Sequence, residues 1–346
     1  MSGKYSAATS IQAPAQAKPV LRYAAGATII MLVAMMADYK LSYLTPVLAL
    51  SLLAPGIKPL TIKTGLAFLL TIATASISGL LFTRMFINYP LVFLPLIVLA
   101  VFHIYYTQKF QKMKVWLIIS ILVIPMASMQ SPVLGSTIAL NLFINAFIAV
   151  ILVTIVNLIF PFEPMTNGKA VPEAPVQWSP YQRYIAARNK ILVVMPVLMI
   201  FFIFNLSGAL LVLIFITILS MNPATASKKA GMAIILSNFG GGMAAILAFN
   251  LLTIVPEVIF LGMLVLLAGL LFGKGLFSGK PVSQMFGMAY STFLLILGNV
   301  TSFRGEAGEE VWTRIMQLGI VVVYIVIAFA LVDYYSGRRE KTLMNG

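Results

Sequence analysis

At 346 residues, 61% hydrophobic and 9% charged, with a mean hydropathy of +1.01, the chain carries more apolar surface than a soluble core of this size requires. It has no cysteine, which excludes a disulfide framework, thiol chemistry and a Cys-based metal site. One histidine and nine carboxylates leave little for acid–base catalysis, and no HExxH, GxSxG, clustered metal ligands or GxxxxGK[ST] loop is present, so neither an enzyme, a cofactor, a bound metal nor direct ATP use is expected. The net charge of +14 raises nucleic acid as a partner, and the placement of the cations argues against it below.

In chain order, residues 1–19 are polar, lack an apolar h-region and predict a cytoplasmic N-terminal tail rather than a signal peptide. Twelve apolar stretches follow, at about 20–37, 42–54, 63–83, 88–107, 115–130, 136–160, 190–205, 207–221, 229–252, 255–272, 282–301 and 313–335. A bilayer-crossing helix needs roughly 20 such residues. The second and eighth stretches are short, and each follows a tight polar turn, DYK at 38–40 and NLSG at 205–208. The fold class expected is an all-α integral membrane protein of about twelve spans in a lipid bilayer, with both termini cytoplasmic. Its units are a first six-helix repeat at 20–160, a Pro-rich cytoplasmic connector at 161–187, a second repeat at 188–335 and a cytoplasmic tail at 336–346.

Cation placement tests that count. With the N-terminus inside and the spans alternating, nineteen of the twenty-three Lys and Arg residues fall on the inner side, and only Lys40, Arg84, Arg304 and Arg314 fall outside. A wrong count would scramble this asymmetry, which is the positive-inside pattern of a membrane chain and accounts for the basic charge without nucleic acid.

An offset of 166 residues aligns the two halves without gaps over most of four spans. Arg22 falls on Arg188, Lys63 on Lys229, Gly65 on Gly231 and Pro90 on Pro256. Six spans per half is an even number, so the repeats enter the membrane in the same direction, related by an axis along its normal.

Matched interruptions in two such halves are the best sequence pointer to a substrate path. Here they are Pro55, Gly56 and Pro59 in one half and Asn222 and Pro223 in the other. Lys63 and Lys229 then open the third and ninth spans, where unpaired N–H groups and the positive helix end favour anions. The topology rule alone also demands lysines there, so an anchoring role stands beside the anion-binding one. The third and ninth spans are rich in small residues, among them Gly241, with Asn238 at mid-depth. Close helix packing and a substrate path both explain them. Four ionisable groups in spans are candidates for proton coupling: Asp38 and Glu257 near the outer side, His103 and Asp333 near the inner.

The arginine opening the first span in LRYAAGATII, the short second span running into a Pro-containing loop, and KTGLAFLLTIATASISGLLF together resemble the aromatic acid exporter and fusaric acid resistance superfamily. The resemblance covers both halves and places Arg22, Lys63, Arg188 and Lys229 at the family's basic positions. It implies a bacterial inner-membrane exporter of small organic anions such as aromatic carboxylates, often working with a periplasmic adaptor protein and an outer-membrane channel. The large cytoplasmic domains common in that superfamily are missing, which marks a minimal branch. Without an ATP motif, the proton gradient is the expected energy source. The alternatives are a passive organic-anion channel and a non-transporting membrane dock, for which FRGEAGEEVWTR at 303–314 would be the docking loop. Whether the chain forms a homo-oligomer stays open.

Overall fold

The computed structural model describes residues 17–57, 59–107, 114–160, 179–204, 228–280 and 282–301, together with Tyr324, Ile327 and Leu331. These residues form helices and turns, with no strand among them. We number the helices α1 (Ala17–Met36), α2 (Leu44–Leu53), α3 (Ile62–Phe86), α4 (Pro90–Tyr106), α5 (Lys114–Gln130), α6 (Pro132–Ile159), α7 (Pro180–Phe204), α8 (Lys228–Ile254), α9 (Val258–Leu276) and α10 (Ser283–Thr301). The expected eighth span lies outside the described residues, and the twelfth is represented by three helical positions.

Side-chain chemistry sets the helix starts. Thr61 caps α3: its hydroxyl accepts from the Thr64 N–H, and the Thr64 hydroxyl accepts from the Thr61 N–H. Ser131 caps α6, with Pro132 in the first turn where a missing N–H costs nothing. Ser179 and Gln182 exchange bonds in the same way at α7. Together with Pro180 at the first position, that box starts α7 at Pro180, ten residues before the expected span and inside the stretch assigned to the connector.

Among the described residues, four helices, α1, α3, α6 and α9, are long and apolar enough to cross a membrane. The short α2 rises about 15 Å, half of a hydrocarbon core. Large apolar side chains stay exposed along one face of α3 (Leu66, Leu70, Ile77, Leu81) and of α8 (Leu236, Met243, Leu247, Leu251). Three pairs among these, Leu70 with Leu236, Ile77 with Met243 and Leu81 with Leu247, stand at the offset of 166. Such faces suit hydrocarbon, as does the habit of Thr71, Thr74 and Ser78 of donating to carbonyls of their own helix.

Packing follows a paired scheme. α3 lies on α5, and α8 lies on α10. α1 packs on α9, while α4 packs on α7, so the first helix of each expected half meets the fourth helix of the other. Lipid tails are as apolar as leucine, so these contacts rest on close van der Waals fit rather than on a hydrophobic drive. At Gly79 an added Cβ would lie 2.6 Å from the Ser120 carbonyl oxygen, and at Gly241 it would run into the Ala289 carbonyl. Backbone thus meets backbone at α3–α5 and again at α8–α10. Named contacts also fix direction. Phe68 meets Trp116, Tyr23 meets Phe277 and Tyr290, and Phe102 meets Tyr184. Gly26 and Gly65 face Val156 and Val150 of α6, and Phe82 at the end of α3 meets Phe93 at the start of α4, so with the pairs above these contacts gather the starts of α1, α3, α5, α7 and α10 and the ends of α4, α6 and α9 at one end of the bundle. Ser237 and Gly241 of α8 lie beside Met288 and Ala289 of α10, so α8 runs parallel to α10 and also begins at that end.

Candidate functional site

The end at which those helices begin is the cationic end. Arg22 sits in the second turn of α1 with 7% of its surface exposed, which puts its guanidinium inside the bundle rather than at a surface anchor. Arg188, its counterpart at the offset of 166, is half-buried on α7, and its Nε and Nη2 donate to Asn189 Oδ1 at 3.3 and 3.1 Å. Lys190 holds its ammonium 5.3 Å from the centroid of the buried Tyr105 ring, within cation–π range. Lys63 and Lys229 are each the second residue of their helices, α3 and α8. Lys63 is exposed; nothing of the Lys229 side chain is described. A cation in the first turn opposes the helix dipole, so local helix stability does not explain either lysine.

The segment between α2 and α3 explains its own composition. Gly56 takes φ +78°, a left-handed turn open to glycine, and the Ile57 N–H bonds back to the Ala54 carbonyl at 3.3 Å. Half-buried Pro55 and exposed Pro59 bring no N–H into a stretch that has no helical partner to offer. Leu60 returns to pack beside Gly65 on α3. The matching positions Asn222 and Pro223 lie outside the described residues, as do Asp333, the 303–314 loop and the Asn238 side chain.

The proton-coupling candidates that are described sit at the surface. Asp38, at φ +44° in the α1–α2 turn, is exposed. Glu257 precedes α9 in extended geometry, makes no side-chain cap bond and is exposed. His103 is exposed near the end of α4, its Nε2 3.4 Å from the Thr107 hydroxyl. No carboxylate is buried among the described residues. Gly241 is buried against α10, where its lack of a side chain is used for helix contact.

Sequence reasoning missed two features. At the other end of the bundle, Asn145 on α6 accepts from the Thr45 hydroxyl at 2.7 Å and donates to the carbonyls of Lys40 at 3.2 Å and Asn141 at 2.7 Å. Thr45 has one proton and gives it to Asn145, so Tyr39 donates in the 2.5 Å contact between the two hydroxyls. Burial holds the Tyr39 phenol above its ordinary range, so it stays a donor. An amide at depth in an apolar helix calls for a partner, but the partner of Asn145 lies a hundred positions away in the sequence. The second feature is a cleft of ≈ 540 Å³ between α4 and α7, apolar along its length and bordered by Arg188. Its walls read in sequence as ordinary span residues.

Residues 19–156, which end inside α6, match a family model described as a protein of unknown function (DUF2955). Comparison with curated proteins and with solved structures gives no match.

Proposed function

We propose that the chain is a multi-pass transporter of a bacterial inner membrane that moves small organic anions, aromatic carboxylates among them, from cytoplasm to periplasm. The observation that carries this reading is the collection of Arg22, Arg188, Lys190, Lys63 and the start of α8 with Lys229 at one end of a lipid-faced bundle. Such an end concentrates anions from the adjoining solution. The paired packing of α3–α5 with α8–α10, and of α1–α9 with α4–α7, supports twelve spans in two like-oriented repeats. The family match over 19–156 supports the first six helices as one unit. Partnership with a periplasmic adaptor and an outer-membrane channel follows from the superfamily resemblance.

A second reading, uncoupled anion passage, is favoured by the exposure of Asp38, Glu257 and His103, since none of them lines a buried proton route. One experiment separates the two. Labelled aromatic acids are loaded into cells with and without the chain, and their retention is followed with and without a proton gradient. Export against a concentration gradient that stops on uncoupling supports proton-driven efflux. Downhill flow alone supports a channel, and equal retention with and without the chain rejects both. In the same assay Lys63→Gln with Lys229→Gln lowers flux about tenfold, equivalent to about 1.4 kcal/mol of anion attraction, at unchanged membrane insertion. Unaltered flux would leave both lysines as anchors.

A further inference from the structure

Two interfaces occupy equivalent places in the paired packing scheme, and only one is closed. Along α1–α9 the chains meet through Gly262, Gly269 and Gly273, which face Leu32, Ala24 and Val20. Along α4–α7 the offset positions carry Leu96, His103 and Thr107. Both helices there also contain an internal proline, Pro95 and Pro196, which removes a helical hydrogen bond. Between the two helices lies the ≈ 540 Å³ cleft. Its walls include Leu94, Val98 and Phe102 on α4 and Ile191, Met195 and Met199 on α7, with Arg188 at one end.

The contents follow from chemistry and length. From Arg188 to Met199 is eleven residues of helix, a rise of about 16 Å, against about 15 Å for one leaflet's share of a 30 Å hydrocarbon core. A small aromatic acid fills only a fraction of that depth. The charged end lies where Phe102 meets Tyr184 and Lys190 covers Tyr105, an aromatic and cationic level of the kind found at headgroups. Asn189 takes Nε and one Nη2 proton of Arg188, and a guanidinium has five donors, so donors remain for a phosphate. We infer that the α4–α7 cleft is a binding site for an anionic phospholipid, with one acyl chain against α4 and α7 and the phosphate on Arg188. The inference rests on the membrane placement of the bundle and is independent of whether the chain transports anything.

Native mass spectrometry on the full chain purified in mild detergent tests it, with phosphatidylglycerol and phosphatidylcholine of identical acyl chains as probes. The wild type is expected to hold one phosphatidylglycerol about tenfold more tightly than phosphatidylcholine. Arg188→Gln removes that preference. Leu99→Trp, which fills the cleft from α4 and leaves the arginine in place, weakens both lipids. Equal binding of the two lipids by the wild type overturns the proposal. So does a preference that survives Arg188→Gln, or displacement of phosphatidylglycerol by benzoate in modest excess, which would make the cleft a small-anion site. If Arg188→Gln fails to fold, unchanged lipid binding by a folded Leu99→Trp overturns it equally.

Discussion

The seam between α1 and α9 and the cleft between α4 and α7 bring together helices related by one offset, yet one is shut and the other open. In the seam, α9 presents glycines at intervals of seven and four residues, one face of a helix, and α1 settles onto them. In the cleft, proline replaces that smoothness on both sides. The arginines behave accordingly: Arg22 is enclosed, while Arg188 keeps contact with the exterior. Helices that stand at one sequence offset thus differ in a handful of glycines and prolines, and the two interfaces differ with them.

Three changes would break or sharpen the contrast. The largest effect is expected at Gly269, where a Cβ would already stand 2.7 Å from the Tyr290 hydroxyl and 2.9 Å from the Ala24 Cβ. Gly269→Leu should cost about 3 kcal/mol through overpacking, read as a lowered melting point in detergent. If it melts like the wild type, the seam is not held by close approach. Next comes the exchange of the cleft prolines for the residues found at the offset positions in the seam, Pro95→Leu with Pro196→Ile. The helices should straighten and the cleft narrow. Because the chain has no cysteine, a disulfide introduced between Leu99→Cys and Met195→Cys reports this directly, and its yield should rise severalfold. An unchanged yield would mean that the prolines do not hold the cleft open. The smallest effect belongs to Val98→Leu, one added methylene facing open space in the cleft, which should shift stability by less than about 0.5 kcal/mol. A loss as large as that at Gly269 would show the cleft to be packed after all.

Much of this was legible in advance, and the remainder has physical reasons for being hidden. The helices lie in local patterns of hydropathy, and the caps of α3 and α6 in local turn chemistry, although the apolar run alone starts the sixth span at 136 rather than at Pro132. The early start of α7 was also written locally, as SPYQ at 179–182, but the apolar run that marks a span begins only after the charged residues Arg183, Arg188 and Lys190. Arg22 and Arg188 were legible as a pair, but their different burial was not, because it depends on what the facing helix carries. Glycines of α9 announce a close contact without naming its partner, and Asn145 announces a hydrogen bond without naming Thr45. Sequence reports what each surface needs, whereas the fold decides which surface supplies it.

The hydroxyls of α3 carry one more consequence. Those of Thr71, Thr74, Ser78 and Thr83 all end on carbonyls of α3 itself, and Thr61 and Thr64 bond only within the cap. None of these bonds crosses to a neighbouring helix. The register of α3 on α5 is therefore held by shape and not by hydrogen bonds: sliding or rotation would break none of them, but would carry a side chain into the Ser120 carbonyl where only Gly79 fits.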